Sequence, residues 1–300
     1  EREAIAEAVN QHGKGSLIGA TIYVTLEPCS THGQTPPCTS AIINAGFARV
    51  VYGARDPNPK HVGAAEAILQ AAEITVEKEV CAYECDQLIR AFTKIQETGL
   101  PWIILKSAIS LDGCITRPPS ESQWLSSQES REIVHQLRHQ TDAVITGGNT
   151  ARKDDPSLTI RSSGLPNKTQ PWRMIITQGK KEQLPQDLKL FNDCHKDRTL
   201  VQENGDISTA LRKLANLGCN SVLVEAGGTL MASFLKQQLA DEVVVFYAPI
   251  VTGGPDSGFG HNTPGVTLIE PQFTKIGNDV MLRATVQKHK KTSDSQIVSP

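Results

Sequence analysis

Thr25-Leu26-Glu27-Pro28-Cys29-Ser30, followed by Thr35-Pro36-Pro37-Cys38, decides how the first third of the chain is read. The β-branched and aromatic run Thr21–Leu26 predicts a strand ending just before Cys29. Pro36-Pro37 opens a helix through Ala41, Ile42, Ile43 and Ala45, which Gly46 stops. Cys38 then falls in the first helical turn, where unpaired amides and the helix dipole favour a thiolate. Two thiolates held this way suit zinc, and a catalytic zinc needs a third ligand and an open position. Two cysteines buried under a loop are the plainer alternative. The flanking Leu-Glu-Pro-Cys and Pro-Pro-Cys favour the metal.

Working outward, Ala4, Ile5, Ala8 and Val9 mark one face of a helix over Glu1–Asn10. After the second helix come a strand at Arg49–Tyr52, the loop Asp56-Pro57-Asn58-Pro59, a helix over Ala64–Ala72 and a strand at Ile74–Glu77. This alternation predicts an α/β domain with a mostly parallel sheet. A helix over Tyr83–Glu97 ends at Thr98-Gly99-Leu100-Pro101, the predicted domain boundary. Cys81 and Cys85 lie four apart with no further Cys or His cluster, so free thiols are expected there.

A second α/β series begins with a strand at Trp102–Ala108. Ser126 with Glu129 reads as a capping box for a helix running to His139. Strands are predicted at Ala143–Thr146, Met174–Thr177, Ser221–Glu225 and Val243–Tyr247, with helices over Ile207–Leu217 and Thr229–Leu239. Lys288–Pro300 is a polar tail without periodicity. Two glycine turns, Gly147-Gly148-Asn149-Thr150 and Ala226-Gly227-Gly228-Thr229, follow strands of one sheet and together make a nucleotide crevice plausible. Each alone is a weak signal.

The chain has 300 residues, which suits two domains, and its net charge is −2. Such a balance argues against nucleic-acid binding. Seven cysteines, an odd number, do not make a disulfide framework, so a reducing cytoplasm is expected. No apolar run spans a bilayer and no secretory signal opens the chain. It begins at Glu1 with a helical pattern already running, so an upstream segment is expected.

The motifs in the first third resemble the cytidine-deaminase-like fold, with its His-x-Glu, Pro-Cys and second Cys. More closely, Thr25–Ser30 with Gly33, Thr35–Cys38 and Asp56–Pro59 resemble the bifunctional riboflavin-biosynthesis deaminase/reductase family. The resemblance implies Cys29 and Cys38 as Zn2+ ligands. Glu1-x-x-Ala4-Ile5 matches the family pattern immediately after His-Ala, which implies Glu1 as the proton-shuttling glutamate and a histidine ligand upstream of it. Asp56 and Asn58 are substrate contacts or simple turn formers. The chain departs from the family at Thr31, where histidine is usual, and at Gln34, where a basic residue is usual.

Lys106 with Ser110-Leu111-Asp112-Gly113, Ser122-Gln123-Trp124, Asp154-Asp155-Pro156-x-Leu158-Thr159-x-Arg161 and Val224-Glu225-Ala226-Gly227 resemble the reductase half of the same family, a dihydrofolate-reductase-like domain. The resemblance implies NADPH contacts from Ala108, Trp124, Thr150, Asp154, Thr177, Gly227, Gly228, Thr229, Leu230, Met231, Ala232 and Ser233. It implies substrate contacts from Ser122, Arg138, Leu158, Arg161 and Glu225, with Asp154 nearest the reductive chemistry and Asp155 its alternate. The expected domains are 1–97 for the deaminase, 98–287 for the reductase and 288–300 for the tail. The implied reactions are hydrolytic deamination of 2,5-diamino-6-ribosylamino-4(3H)-pyrimidinone 5′-phosphate, then NADPH-dependent reduction of its ribosyl to a ribityl chain. A reductase carrying a non-catalytic deaminase-like scaffold is the alternative. The substrate is a small pyrimidine ribose phosphate, no nucleic acid or membrane is expected as a partner, and homo-oligomerisation is expected.

Overall fold

A computed structural model describes residues 1–32, 36–58, 63–117, 124–161, 164–166, 168–261 and 263–288. The chain divides into two units, Glu1–Gly99 and Leu100–Pro300.

In the first unit the order is α1 (Arg2–His12), β1 (Thr21–Leu26), α2 (Cys38–Ala45), β2 (Arg49–Ala54), α3 (Ala64–Ala71), β3 (Thr75–Glu77) and α4 (Ala82–Thr98). The three strands form a parallel sheet in the order β1-β2-β3. β2 is central and buried from Val50 to Ala54, as expected of a strand covered on both faces. Ile42, Val50, Tyr52, Ala65 and Leu69 make its core. Gly46 ends α2 in the left-handed region at φ 78°. A Cβ on Gly53 would lie 2.1 Å from Cys85 Sγ, so this glycine lets α4 pack onto the sheet. Cys85 is therefore a buried packing residue, while Cys81 is exposed.

The second unit runs β4 (Trp102–Ile109), α5 (Gln128–Gln140), β5 (Ala143–Gly147), α6 (Gly148–Asp154), β6 (Trp172–Ile176), α7 (Lys189–Asn192), β7 (Thr199–Gln202), α8 (Ile207–Asn216), β8 (Ser221–Glu225), α9 (Gly228–Lys236), β9 (Glu242–Tyr247), β10 (Leu268–Ile276) and β11 (Asp279–Val286). Its eight-stranded sheet has the order β10-β11-β9-β4-β8-β5-β6-β7. β11 pairs antiparallel with β9 and β10, and the remaining pairs are parallel. Alternate residues of β4 feed two cores: Ile103 and Leu105 pack on one face of the sheet, Ile104 on the other.

Two sequence expectations change here, and three strands lie outside them. The cap of α5 is Ser127, not Ser126: its Oγ accepts from Ser130 N, and buried Asp279 accepts from both Ser127 N and Ser130 Oγ. The Gly148–Thr150 stretch is the first turn of α6 rather than a loop. The β10–β11 hairpin and β7 carry no clear alternation in the sequence. Residues 269–275 of β10 are all exposed, so no apolar face marks the strand.

Candidate active sites

In the first unit the end of β1 and the start of α2 meet at the two cysteines. Cys38 N donates to Cys29 Sγ at 3.3 Å, and Thr39 N donates to Cys29 O at 3.3 Å, so the first turn of α2 is fastened to the Cys29 backbone. The Cys38 thiol donates to Glu1 Oε2 at 3.3 Å, across 37 positions of sequence. Glu1, Cys29 and Cys38 are thus brought together. The Cys38 thiol is pushed up to about 12, first by burial, then by Cys29 and the negative charge of Glu1. Without a metal the helix dipole does not carry Cys38 to a thiolate, because burial, the hydrogen bond with Cys29 and the Glu1 charge outweigh it. The Cys29 and Cys38 sulfurs beside the Glu1 carboxylate are donors that suit a divalent cation such as zinc, whose binding would displace the Cys38 thiol proton. Among the described residues no group of three or more His, Cys, Asp or Glu forms a complete metal cage.

Around the cysteines, Glu27 is buried, and its Oε2 accepts from Asp56 N at 3.3 Å. Asn58 N donates to Asp56 Oδ1 at 2.9 Å, the local turn that Asp-Pro-Asn-Pro forms unaided. Asp56 is buried, so its side chain shapes the loop. Thr31 is exposed beside the site, and Gln34 lies outside the described residues.

In the second unit the carboxyl ends of β5, β6 and β8 converge. Gly227 N donates to Thr150 Oγ1 at 3.2 Å, and Gly148 approaches Thr177 so closely that a Cβ there would stand 2.8 Å from Thr177 Oγ1. Leu230 packs over Gly147. Two helices, α6 and α9, therefore begin side by side at one sheet edge, a setting suited to the phosphates of a dinucleotide. At Gly147 and Gly227 a Cβ would meet only ordinary contacts at 3.7 Å, with Leu230 and Thr150 respectively. Leu230 N and Met231 N return to Gly227 O in the first turn of α9, where Gly228 is buried and Thr229 exposed.

Other residues expected at the cofactor sit differently. Met231 is fully buried in the core and Ala232 is buried against Gly260, so their side chains pack rather than line the crevice. Ser233 Oγ donates to Thr229 O within α9. Ala108 lies near the carboxyl end of β4. Trp124 is exposed, with the Arg131 guanidinium 5.1 Å from its ring centroid. Ser122 lies outside the described residues.

Beside the crevice is a buried charge cluster. Glu225 on β8 and Lys106 on β4 are register neighbours. Arg138 donates through Nε to Glu225 Oε1 at 2.6 Å and through Nη2 to Oε2 at 3.0 Å. Its Nη1 donates to Thr159 O at 2.9 Å. Burial works to raise the Glu225 carboxyl, yet Arg138 and then Lys106 hold it below the usual carboxylate range. Burial lowers Lys106, with Glu225 opposing and Arg138 assisting. Lys106 thus releases a proton more readily than a surface lysine. Sequence reasoning assigns it no role, although Lys-x3-Ser-Leu-Asp-Gly is its signal.

The segment after α6 forms one wall of the same region. Asp154 is exposed as a residue, and partial desolvation of its carboxyl raises it against the opposing pull of Lys153. Asp155 is committed elsewhere: its Oδ1 accepts from Lys189 N at 2.7 Å, and Lys189 Nζ pairs with it. Leu158 is buried at φ 53°, and Arg161 N donates to His135 Nδ1 at 3.3 Å.

Known proteins carry the same two kinds of site. The RibD C-terminal domain family matches residues 101–282, and the cytidine and deoxycytidylate deaminase zinc-binding region matches residues 1–54. The riboflavin biosynthesis protein RibD of Escherichia coli strain K12 is 36% identical, over 88% of this chain and 81% of the relative. The solved structure of Acinetobacter baumannii RibD, form 1, superposes with a TM-score of 0.83 at 31% identity, covering 95% of this chain and 85% of the other. A diaminohydroxyphosphoribosylaminopyrimidine deaminase/5-amino-6-(5-phosphoribosylamino)uracil reductase from Thermotoga maritima superposes with a TM-score of 0.79 at 29% identity, covering 94% and 83%. With identity this high along most of the chain, and the C-terminal domain model matching more than half of it, the chain belongs to the RibD family of riboflavin biosynthesis proteins.

Proposed function

We propose that the chain is a bifunctional enzyme that deaminates a diamino-ribosylamino-pyrimidinone phosphate and then reduces the ribosyl group to ribityl. The observation that carries the deaminase step is the Glu1 carboxylate on the Cys38 thiol, beside Cys29. Cys29 and Cys38 would hold zinc, which would supply a water activated near neutral pH. The Glu1 carboxylate, seated on the Cys38 thiol, holds and moves the proton that the departing ammonia takes up. The deaminase domain covers residues 1–97, the reductase domain 98–287 and a polar tail 288–300.

In the second unit Thr150, Thr177 and the amides of Gly228 and Thr229 seat the dinucleotide, and NADPH supplies the reducing equivalents. Arg161 binds the substrate phosphate. Leu158 shapes the wall, and the Arg138–Glu225 pair fixes the floor with Lys106 beside it. Asp154 stands nearest the reacting sugar carbon and holds or moves a proton there. Among the described residues no helix is long and apolar enough to cross a membrane, and we place the enzyme in the cytoplasm. The exposed outer strand β10, with Ile269 and Phe273 uncovered, supports assembly into a homo-oligomer.

The test is incubation with the diamino substrate, first without and then with NADPH. Ammonia release in the first stage and NADPH oxidation in the second are expected. NADPH oxidation on predeaminated substrate, with no ammonia release from the zinc-loaded protein, would replace this function with that of a reductase bearing a scaffold domain.

A further inference from the structure

Arg173, on β6, belongs to neither site described above, yet it is the largest fully buried side chain among the described residues. A buried guanidinium is costly unless it is paired and hydrogen-bonded. Its Nη1 donates to Ser157 O at 2.9 Å and to Asp193 Oδ2 at 2.5 Å; its Nη2 donates to Asp193 Oδ1 at 2.8 Å and to Leu190 O at 3.3 Å. Asp193 Oδ1 also accepts from His195 N.

Two carbonyls of one short loop are therefore held by two buried arginines, Ser157 O by Arg173 and Thr159 O by Arg138. Between them Leu158 is kept at φ 53°, a left-handed conformation that non-glycine residues avoid. Three residues on, Arg161 N donates to His135 Nδ1. The loop's start is gripped by α7, where Lys189 binds Asp155, and α7 also supplies the Leu190 carbonyl to Arg173.

We propose that the Arg173–Asp193 pair is a positioning device for the substrate-side wall of the reductase, holding Ser157–Thr159 in the shape that presents Leu158 and Arg161. This rests on the assignment of that wall to the substrate. Without the pair, Leu158 relaxes out of the left-handed region, and the backbone leading to Arg161 turns with it. Among the described residues Arg173 hydrogen-bonds to Ser157, Leu190 and Asp193 and to none of the crevice residues Gly148, Thr150, Thr177 and Gly227.

Full-length Asp193→Asn, Arg173→Lys and Arg173→Ala are compared with wild type for KM of the deaminated ribosyl substrate, Kd of NADPH, and amide exchange along residues 155–161. The expected result is a KM raised about tenfold in Asp193→Asn, as for one weakened charge-assisted hydrogen bond, with NADPH binding unchanged. Exchange at residues 157–161 accelerates while β8 and α8 keep wild-type protection. A merely structural pair would raise KM and NADPH Kd together and speed exchange throughout the unit, and that outcome overturns the proposal. Unchanged exchange at 157–161 in Asp193→Asn overturns it as well. If Arg173→Ala does not fold, Asp193→Asn and Arg173→Lys decide the matter. If wild type shows no reductase activity the functional assignment fails, while the exchange data still decide whether the pair positions the loop.

Discussion

Arg138 meets Glu225 in a two-pronged ion pair, 2.6 and 3.0 Å, and its remaining nitrogen is committed to Thr159 O. Both side chains are nearly inaccessible. A guanidinium with these commitments organises the floor of the site more than it grips a substrate. Glu225→Ala leaves Arg138 and Lys106 buried without a counter-charge, so the reductase unit is expected to lose about 3–5 kcal/mol of stability. Arg138→Met with Glu225→Leu together removes both charges and is expected to cost less than either single change. Urea unfolding of Glu225→Ala, Arg138→Met, Glu225→Leu and the double variant checks this. A loss under about 1 kcal/mol for Glu225→Ala would mean that water reaches the pair.

Gly228 and Gly147 look alike in sequence, yet the fold treats them differently. A Cβ on Gly228 would lie 2.2 Å from Ser257 O and 2.5 Å from Gly260 N, backbone atoms that cannot swing aside. At Gly147 the nearest atom stands at 3.7 Å, and its φ of −90° suits any residue. Gly228→Ala is expected to destabilise by roughly 1–3 kcal/mol and to weaken NADPH binding, since the start of α9 must shift. Gly147→Ala is expected to keep wild-type stability. Thermal melts with and without NADPH separate the two, and equal melts would contradict the close Gly228–Gly260 packing.

His135 gives the reductase unit a pH dependence. Burial lowers it, and Arg138 and Arg161 lower it further against Glu132 and Glu225. Its neutral Nδ1 accepts the Arg161 amide, which a protonated nitrogen cannot do. With the folded pKa below the ordinary value of about 6.5, the unfolded chain takes up the proton first. The His135 contribution is thus intact above about pH 6.5 and declines as pH falls from there through the folded pKa. His135→Gln is expected to flatten this part of the stability profile. An unchanged slope between about pH 7.5 and 5.5 would remove His135 from the account.

Much of the fold is legible in the chain because chemistry and punctuation coincide there. Cys29 and Cys38 flank a strand end and a helix start, and Gly99-Leu100-Pro101 falls at the unit boundary. The Glu1–Cys38 contact is reached only through the family resemblance, since no local pattern joins residues 37 apart. Asp154 and Asp155 are interchangeable in sequence; only the fold shows Lys189 taking Asp155. Arg173 gives no signal, because a charge in an apolar strand reads as an edge residue until its partners Asp193 and Ser157 come from distant loops. The burial of Met231 is equally hidden in the sequence, a helix start having one face outward and one in the core.

Zinc removal tests the first unit separately. Cys29→Ala deletes one thiol and the acceptor of the Cys38 amide. Zinc content by metal analysis is expected to fall to background and ammonia release with it. NADPH oxidation on predeaminated substrate is expected to continue, since the residues assigned to it all lie beyond Gly99. Wild-type zinc content in Cys29→Ala would dismiss the site.

Arg161 and Asp154 stand at opposite ends of one loop and are expected to fail in different ways. Arg161 is exposed, and its backbone is anchored on His135 while its side chain is available to a phosphate. A phosphate gripped equally in the ground and transition states gives uniform binding, so Arg161→Ala is expected to raise KM by about 2–4 kcal/mol with a smaller change in kcat. Asp154 closes α6, and its carboxyl is raised by desolvation. A group with a raised carboxyl can hold a proton near the reacting carbon and act mainly in the transition state. Asp154→Asn keeps its shape without its charge, so kcat is expected to drop while KM moves little. Asp155→Asn serves as the control: it weakens the Lys189 tie and is expected to lower stability with kcat retained. Steady-state kinetics of the three variants decides the assignment. Near-normal kcat in Asp154→Asn with a large loss in Asp155→Asn would exchange the two roles, and near-normal profiles throughout would remove the loop from the chemistry.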